Sequence, residues 1–186
     1  MKTAEWTLID EVLPEVDYRS RHDRHVHASS ENVASAIEQY IIGRDSSILV
    51  RLLVRMRGLR MPSGPVRDVL RRSGFTILAE RPGQEIVAGT TGRFWTLREQ
   101  ANMHAPLDLE DFDAFARPGW AKAAMTIRIE PREDGSSTLV TETRVLCMDE
   151  RARHRFAPYW AFIRVFSGWI RKDLLSGIAR LAEDGR

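Results

Sequence analysis

The chain has 186 residues, 43% of them hydrophobic and 29% charged, with a formal net charge of +2 at neutral pH. That is enough for one sizeable core and too little for two comfortable domains, and the absence of long Ser, Gly, Pro or single-sign blocks counts against a disordered linker. The nearly balanced charge is neither concentrated nor joined to a recognisable reading element, so no nucleic-acid partner is expected. The single cysteine, Cys147, excludes an internal disulfide framework and a cysteine-rich zinc site, and its place at the end of an apolar strand pattern reads as a small buried side chain.

Residues 1–18 read as an N-terminal arm, and 19–186 as a single domain. Pro14 prevents a continuous helix through VLPEV, and the acids of MKTAEWTLIDEVLPEVDY stand where a signal peptide needs an apolar core. No apolar run approaches the roughly 18 residues of a membrane span, so a soluble, cytoplasmic chain without a transmembrane segment is expected.

From Tyr18 to Ala28 the pattern predicts a strand, after which Ser29 and Ser30 offer capping hydroxyls to a helix carrying Val33, Ala36, Ile37 and Tyr40. The next segment, 46–60, predicts an amphipathic basic helix. Residues 44–72 hold eight arginines against Asp45 and Asp68. Such a face suits peripheral contact with a membrane or an acidic partner, although an ordinary solvated helix looks the same.

Two hairpins follow. In FTILAERPGQEIVAGTTGRFW, a register pairing Glu80 with Glu85 sets Phe75, Ile77 and Ala79 on one face with Ile86, Ala88 and Thr90. The glycines of GTTGRFW point to a bulge or a close backbone approach. In AAMTIRIEPREDGSSTLVTETRV, a turn around Asp134 and Gly135 with Arg128 opposite Glu142 groups Ala123, Met125, Ile127 and Ile129 with Leu139, Thr141, Thr143 and Val145. Arg128, Glu130, Glu142 and Arg144 then form a charged ladder on the other, solvated face. From Asp149 to about Ala182 the pattern is helical, kinked or restarted near Pro158 and relaxed around Ser167 and Gly168. Its apolar stripe comprises Phe156, Trp160, Ile163, Ile170, Leu174, Ile178 and Leu181.

Strand, helices, antiparallel hairpins and a long terminal helix predict an α+β domain. The order of elements from Arg19 to Ala182 resembles the START-like (SRPBCC), helix-grip superfamily of polyketide cyclases, lipid-transfer domains and pollen-allergen-type ligand carriers. VHASSENV is similar to the strand-end and helix-start phrase of these proteins, with Ser29 where a proline is often found. LPEVDYRSRH, RGLRMP, ERPGQEIVAG, GRFW, PGWAK, TETRV and FSGWIR resemble a bacterial group within that superfamily. The resemblance implies a curved antiparallel sheet wrapped around the terminal helix, with a cavity between them for an apolar or aromatic small molecule. It carries over no catalytic residues.

The phrase RHDRHVH holds the most pointed candidates. Alternation puts Arg21, Asp23, His25 and His27 on one face and His22, Arg24, Val26 and Ala28 on the other. Val26 and Ala28 must face the core, so His22 and Arg24 share that side as polar groups to orient a ligand, or as a satisfied structural pair. Asp23, His25 and His27 raise the question of a metal site, but their face reads as solvated, and His104 and His154 have no spacing that would complete a shell. No metal or cofactor is expected.

On these faces the cavity residues are Ile77, Ala88 and Thr90 from the first hairpin, Met125, Ile127, Thr141 and Thr143 from the second, and Trp160 and Ile163 from the helix. Trp95, Trp120, Tyr159, Phe162, Phe166 and Trp169 read mainly as core packing. The leading expectation is a non-catalytic module that binds or transports a hydrophobic, lipid- or polyketide-like molecule. A cyclase or dehydratase would use His22 as general acid or base with Arg24 polarising a carbonyl. The third reading is an interaction module working through the basic helix.

Overall fold

The structure is a computed structural model that describes residues 6–46, 63–96 and 103–185. Most of the basic helix expected at 46–60 lies outside the described residues. The order is α1 (Leu8–Val12), β1 (Tyr18–Val26), α2 (Ser30–Gln39), β2 (Ile41–Ile42), β3 (Gly64–Pro65), α3 (Val66–Arg72), β4 (Thr76–Arg81), β5 (Glu85–Gly92), β6 (Met103–His104), α4 (Leu109–Ala114), β7 (Ala121–Pro131), β8 (Ser137–Cys147) and α5 (Glu150–Asp184). The domain is α+β. A six-stranded antiparallel sheet runs in the order β1-β8-β7-β5-β4, with β6 paired to β5, while β2 and β3 form a separate two-residue ladder. Among the described residues no helix is long and apolar enough to cross a membrane.

Local chemistry sets the element ends. Ser29 caps α2 by accepting from the Asn32 N–H, and Asp149 caps α5 by accepting from Ala152. The helix α5 runs 35 residues through Pro158 rather than restarting there. At 1.5 Å per residue it is about 52 Å long.

Both hairpin registers differ from expectation. Ile77 opposes Ala88, but a bulge between Ile77 and Ala79 places Glu80 opposite Ile86 and Arg81 opposite Glu85. The bulge lets the consecutive residues Leu78 and Ala79 both pack on the cluster built from α1 and α4, which strict alternation forbids. Gly89 makes room for this, since a Cβ there would lie 2.3 Å from Leu78 Cδ1. In the second hairpin Arg128 opposes Val140, and Glu142 opposes Thr126. The connection spans residues 132–136, closed by Asp134 accepting from the Ser136 N–H and by Gly135 at φ +77°. This displaces the register by two residues, so the side-chain faces are unchanged.

One face of the sheet carries α5, which is held at its two ends. Near its start, Ala152 and Phe156 pack with Ala121, Ala123, Val145 and Tyr18. Near its end, Leu175, Ile178, Ala179 and Ala182 pack with Val26, Leu139 and the α2 residues Val33 and Ala36. Gly177 permits close approach there, since a Cβ would meet the Tyr40 ring at 2.4 Å.

The opposite face corrects the solvated-ladder expectation. Leu8, Ile9, Val12 and Leu13 of the arm, together with Phe112 of α4, cover Val87 and Ala124. Glu142 and Arg144 are consequently buried, at 1% and 5% exposure. Arg144 donates Nε to Glu142 Oε1 at 2.6 Å, Nη2 to Asp10 Oδ1 at 2.6 Å, and Nη1 to the carbonyls of Ile9 and Leu13. Arg19 adds a second cation to Glu142, at 2.7 Å. Glu85, also buried, accepts from the Leu8 N–H and from Thr126 Oγ1, each at 2.9 Å. The arm supplies apolar cover and acceptors to charges that alternation alone sends to solvent.

Candidate functional site

Between its packed ends α5 meets the sheet through Gly168 over the His22 ring and Arg171 on Thr141, and open space remains beside these contacts. Two adjoining cavities occur there, of about 550 Å³ and about 340 Å³. The larger lies toward α2, α3 and the β4–β5 turn, and includes Ile37, Leu70, Ile86, Ala88, Ile127 and Leu174 in its wall. The smaller lies toward the aromatic end of α5, with Phe75, Thr90, Thr143, Phe156, Trp160 and Ile163. Met125, Ser167 and Arg171 border both. Volumes in this range match those of small-molecule pockets.

The residues expected at the cavity divide clearly. Ala88, Ile127 and Thr141 line the larger space, Thr90, Thr143, Trp160 and Ile163 the smaller, and Met125 both. Ile77 lines neither. Trp160 is half-buried against Tyr18 and Phe156, with ring centroids 5.7 and 5.8 Å away.

His22 and Arg24 are on the helix side of β1, as alternation requires, but they line neither cavity. The His22 ring sits under Gly168, where a Cβ would lie 3.4 Å from its Cε1, and its Nε2 is 3.3 Å from Ser20 Oγ. Burial, then the Arg171 and Lys172 charges, lower its pKa below the ordinary histidine value. Arg24 is exposed, and its Nη1 donates to Ser176 Oγ at 3.0 Å. The side of β1 was legible, but the contact with α5 takes both side chains away from the cavities. His22 thus reaches the smaller cavity only through Ser20, which lines it.

The polar group that does stand between the cavities is Arg171. It is only 9% exposed. Nη1 donates to Thr141 Oγ1 at 2.9 Å and Nε to Ser167 Oγ at 3.0 Å. Two of the five guanidinium N–H groups are thereby used, and among the described residues no carboxylate is paired with it. Burial lowers its pKa to about 10, which leaves it protonated at neutral pH. A charge withdrawn from water without a counter-ion costs on the order of several kcal/mol. Nearby, the buried hydroxyls Thr90 Oγ1 and Thr143 Oγ1 have no hydrogen-bond partner among the described residues.

The sequence signal for Arg171 was present: the helical series Phe156, Trp160, Ile163, Ser167, Arg171, Leu174, Ile178 carries a cation on the apolar stripe. Ile170, on the expected apolar stripe, is 40% exposed and also borders the larger cavity.

The remaining candidates have local partners. His25 and His27 are exposed, their rings edge to face at 4.4 Å, and His25 Nε2 is 2.8 Å from Ser136 Oγ. Among the described residues no three His, Cys, Asp or Glu side chains converge as a metal site. Burial, followed by the charge of Asp17, pushes the Cys147 thiol up to about 12, away from the range of a nucleophile.

No family model and no curated protein matches the chain. Among solved structures, one similar chain is a structural-genomics protein of Mesorhizobium loti, 12% identical, with a TM-score of 0.41 over 91% of this chain and 99% of that one. Another is from Deinococcus radiodurans, 7% identical, with a TM-score of 0.30 over 80% of this chain and 98% of that one.

Proposed function

We propose that this protein binds a hydrophobic small molecule between its sheet and terminal helix, in the manner of the START-like, helix-grip carriers it resembles in sequence. The observation that carries this reading is the pair of cavities beneath the middle of α5, walled by Ile86, Ile127 and Leu174 on one side and by Phe75, Phe156 and Trp160 on the other. The space beside the mid-helix contacts leaves apolar surface that a ligand can cover, and about 25 cal/mol per Å² of such surface favours binding. Binding without turnover is the simpler reading, since His22 and Arg24 are engaged with α5 rather than with either cavity.

The test is native mass spectrometry of the purified chain, followed by denaturation and organic extraction. A discrete apolar compound, released on unfolding and displaced by Ile127→Trp in the larger cavity, is the expected outcome. A chain that arrives free of ligand and takes up no neutral apolar dye would overturn the reading.

A further inference from the structure

The buried cation at the junction of the cavities is not explained by apolar binding alone. A carrier for a wholly apolar molecule has no use for a guanidinium between its two chambers, where the ligand must pass or rest beside it. A structural tie between α5 and β8 is the rival explanation, since Arg171 reaches both Ser167 and Thr141. That tie uses only part of the fork, however, and a neutral side chain would serve it without burying a charge.

We propose that Arg171 is the counter-ion of the ligand, and that the molecule bound here is an amphipathic carboxylic acid whose carboxylate sits on Arg171 beside Thr141 while its apolar body occupies the larger cavity. This rests on the cavity reading given above. A guanidinium offers two parallel N–H groups to a carboxylate, a bidentate match that lysine or a hydroxyl cannot provide. Arg67, which also borders the larger cavity, is paired with Glu80, so among the described residues Arg171 is the buried cation of the cavity walls without a carboxylate, and one cation balances a monoanion. The lowered pKa of His22 keeps that neighbour neutral at neutral pH, and Arg164, which also borders the smaller cavity, is exposed. Thr143 follows Thr141 on the same face of β8, so its hydroxyl, which like that of Thr90 has no partner among the described residues, extends the polar track from Arg171 into the smaller cavity.

The experiment uses the full chain and neutral Nile red as the probe of the cavity, displaced by dodecanoate, dodecan-1-ol or dodecyl phosphate at neutral pH. The expected result is dye binding, with dodecanoate displacing at least tenfold more tightly than the alcohol. Arg171→Met should erase that preference by weakening the acid while leaving the alcohol and the dye within about twofold. Should the dye bind and the acid and alcohol compete equally, or neither displace it, the counter-ion assignment falls and the apolar-cavity reading stands. Tighter displacement by the phosphate than by the carboxylate, by tenfold or more, would overturn the carboxylate assignment. Failure of the dye itself to bind removes the cavity reading and the inference with it. The wild-type comparison needs no variant, and Arg171→Lys, which keeps the charge but loses the fork, should retain part of the preference.

Discussion

Two arginines lie buried on opposite faces of one sheet, and their surroundings differ in kind. Arg144 has two carboxylates and two carbonyls around it, from β8 and from the arm, and holds the end of α1 against the sheet. Arg171 has two hydroxyls and no carboxylate among the described residues, and stands where two cavities meet. The first charge is satisfied by the chain itself. The second has no carboxylate among the described residues, and the proposed ligand would supply one. Burial of a charge therefore does not by itself distinguish structure from function, whereas the inventory of its partners does.

The contrast can be broken most forcefully at Arg144. Arg144→Met leaves Glu142 and Asp10 short of their partner and should cost about 3–5 kcal/mol in urea unfolding, with exposure of the arm to proteolysis. Asp10→Asn should cost roughly 2 kcal/mol at neutral pH. Burial raises the Asp10 pKa, but hydrogen bonds from Thr7 and Arg144 outweigh it and hold the group down to about 2. Its folded value lies below the ordinary 3.8, so the stabilisation is present above that value and is lost as pH falls toward 2. The gap between wild type and variant should close over that window in acid titrations of stability.

Smaller effects sharpen the other side of the comparison. Gly177→Ala forces a methyl against the buried Tyr40 ring and should lose about 1 kcal/mol, once the helix-propensity gain is set against the overpacking. Arg171→Met should leave thermal stability unchanged or raised, because removal of an uncompensated buried charge offsets the two hydrogen bonds lost. A loss above about 2 kcal/mol would instead make Arg171 a structural tie of the Arg144 type. In the same variant, the His22 ring should titrate closer to its ordinary value by NMR, since the Arg171 charge is one of the causes that lower it.

Much of the helix-side wall was legible from alternation. Met125, Ile127, Thr141 and Thr143 share one face because strand side chains repeat every two residues, and that assignment withstood a two-residue error in register. The first hairpin was less legible, since its bulge exists to put Leu78 and Ala79 onto a cluster whose other half comes from residues 8–13 and Phe112. The charged ladder misled for the same reason. Opposite charges on alternate positions read as a wet surface until the arm is seen lying across them.

What the sequence determined by itself was periodic: an antiparallel α+β domain, the cap at Ser29, and which residues of each strand and helix lie on a common face. Propensity, capping and periodicity are properties of a few neighbouring residues, so one chain states them in full. Tertiary structure alone decided that the arm covers the charged face, that His22 and Arg24 meet α5, and that Arg171 stands between two cavities. Those outcomes depend on which distant element arrives at a surface and how far it stands off, and long-range packing sets both.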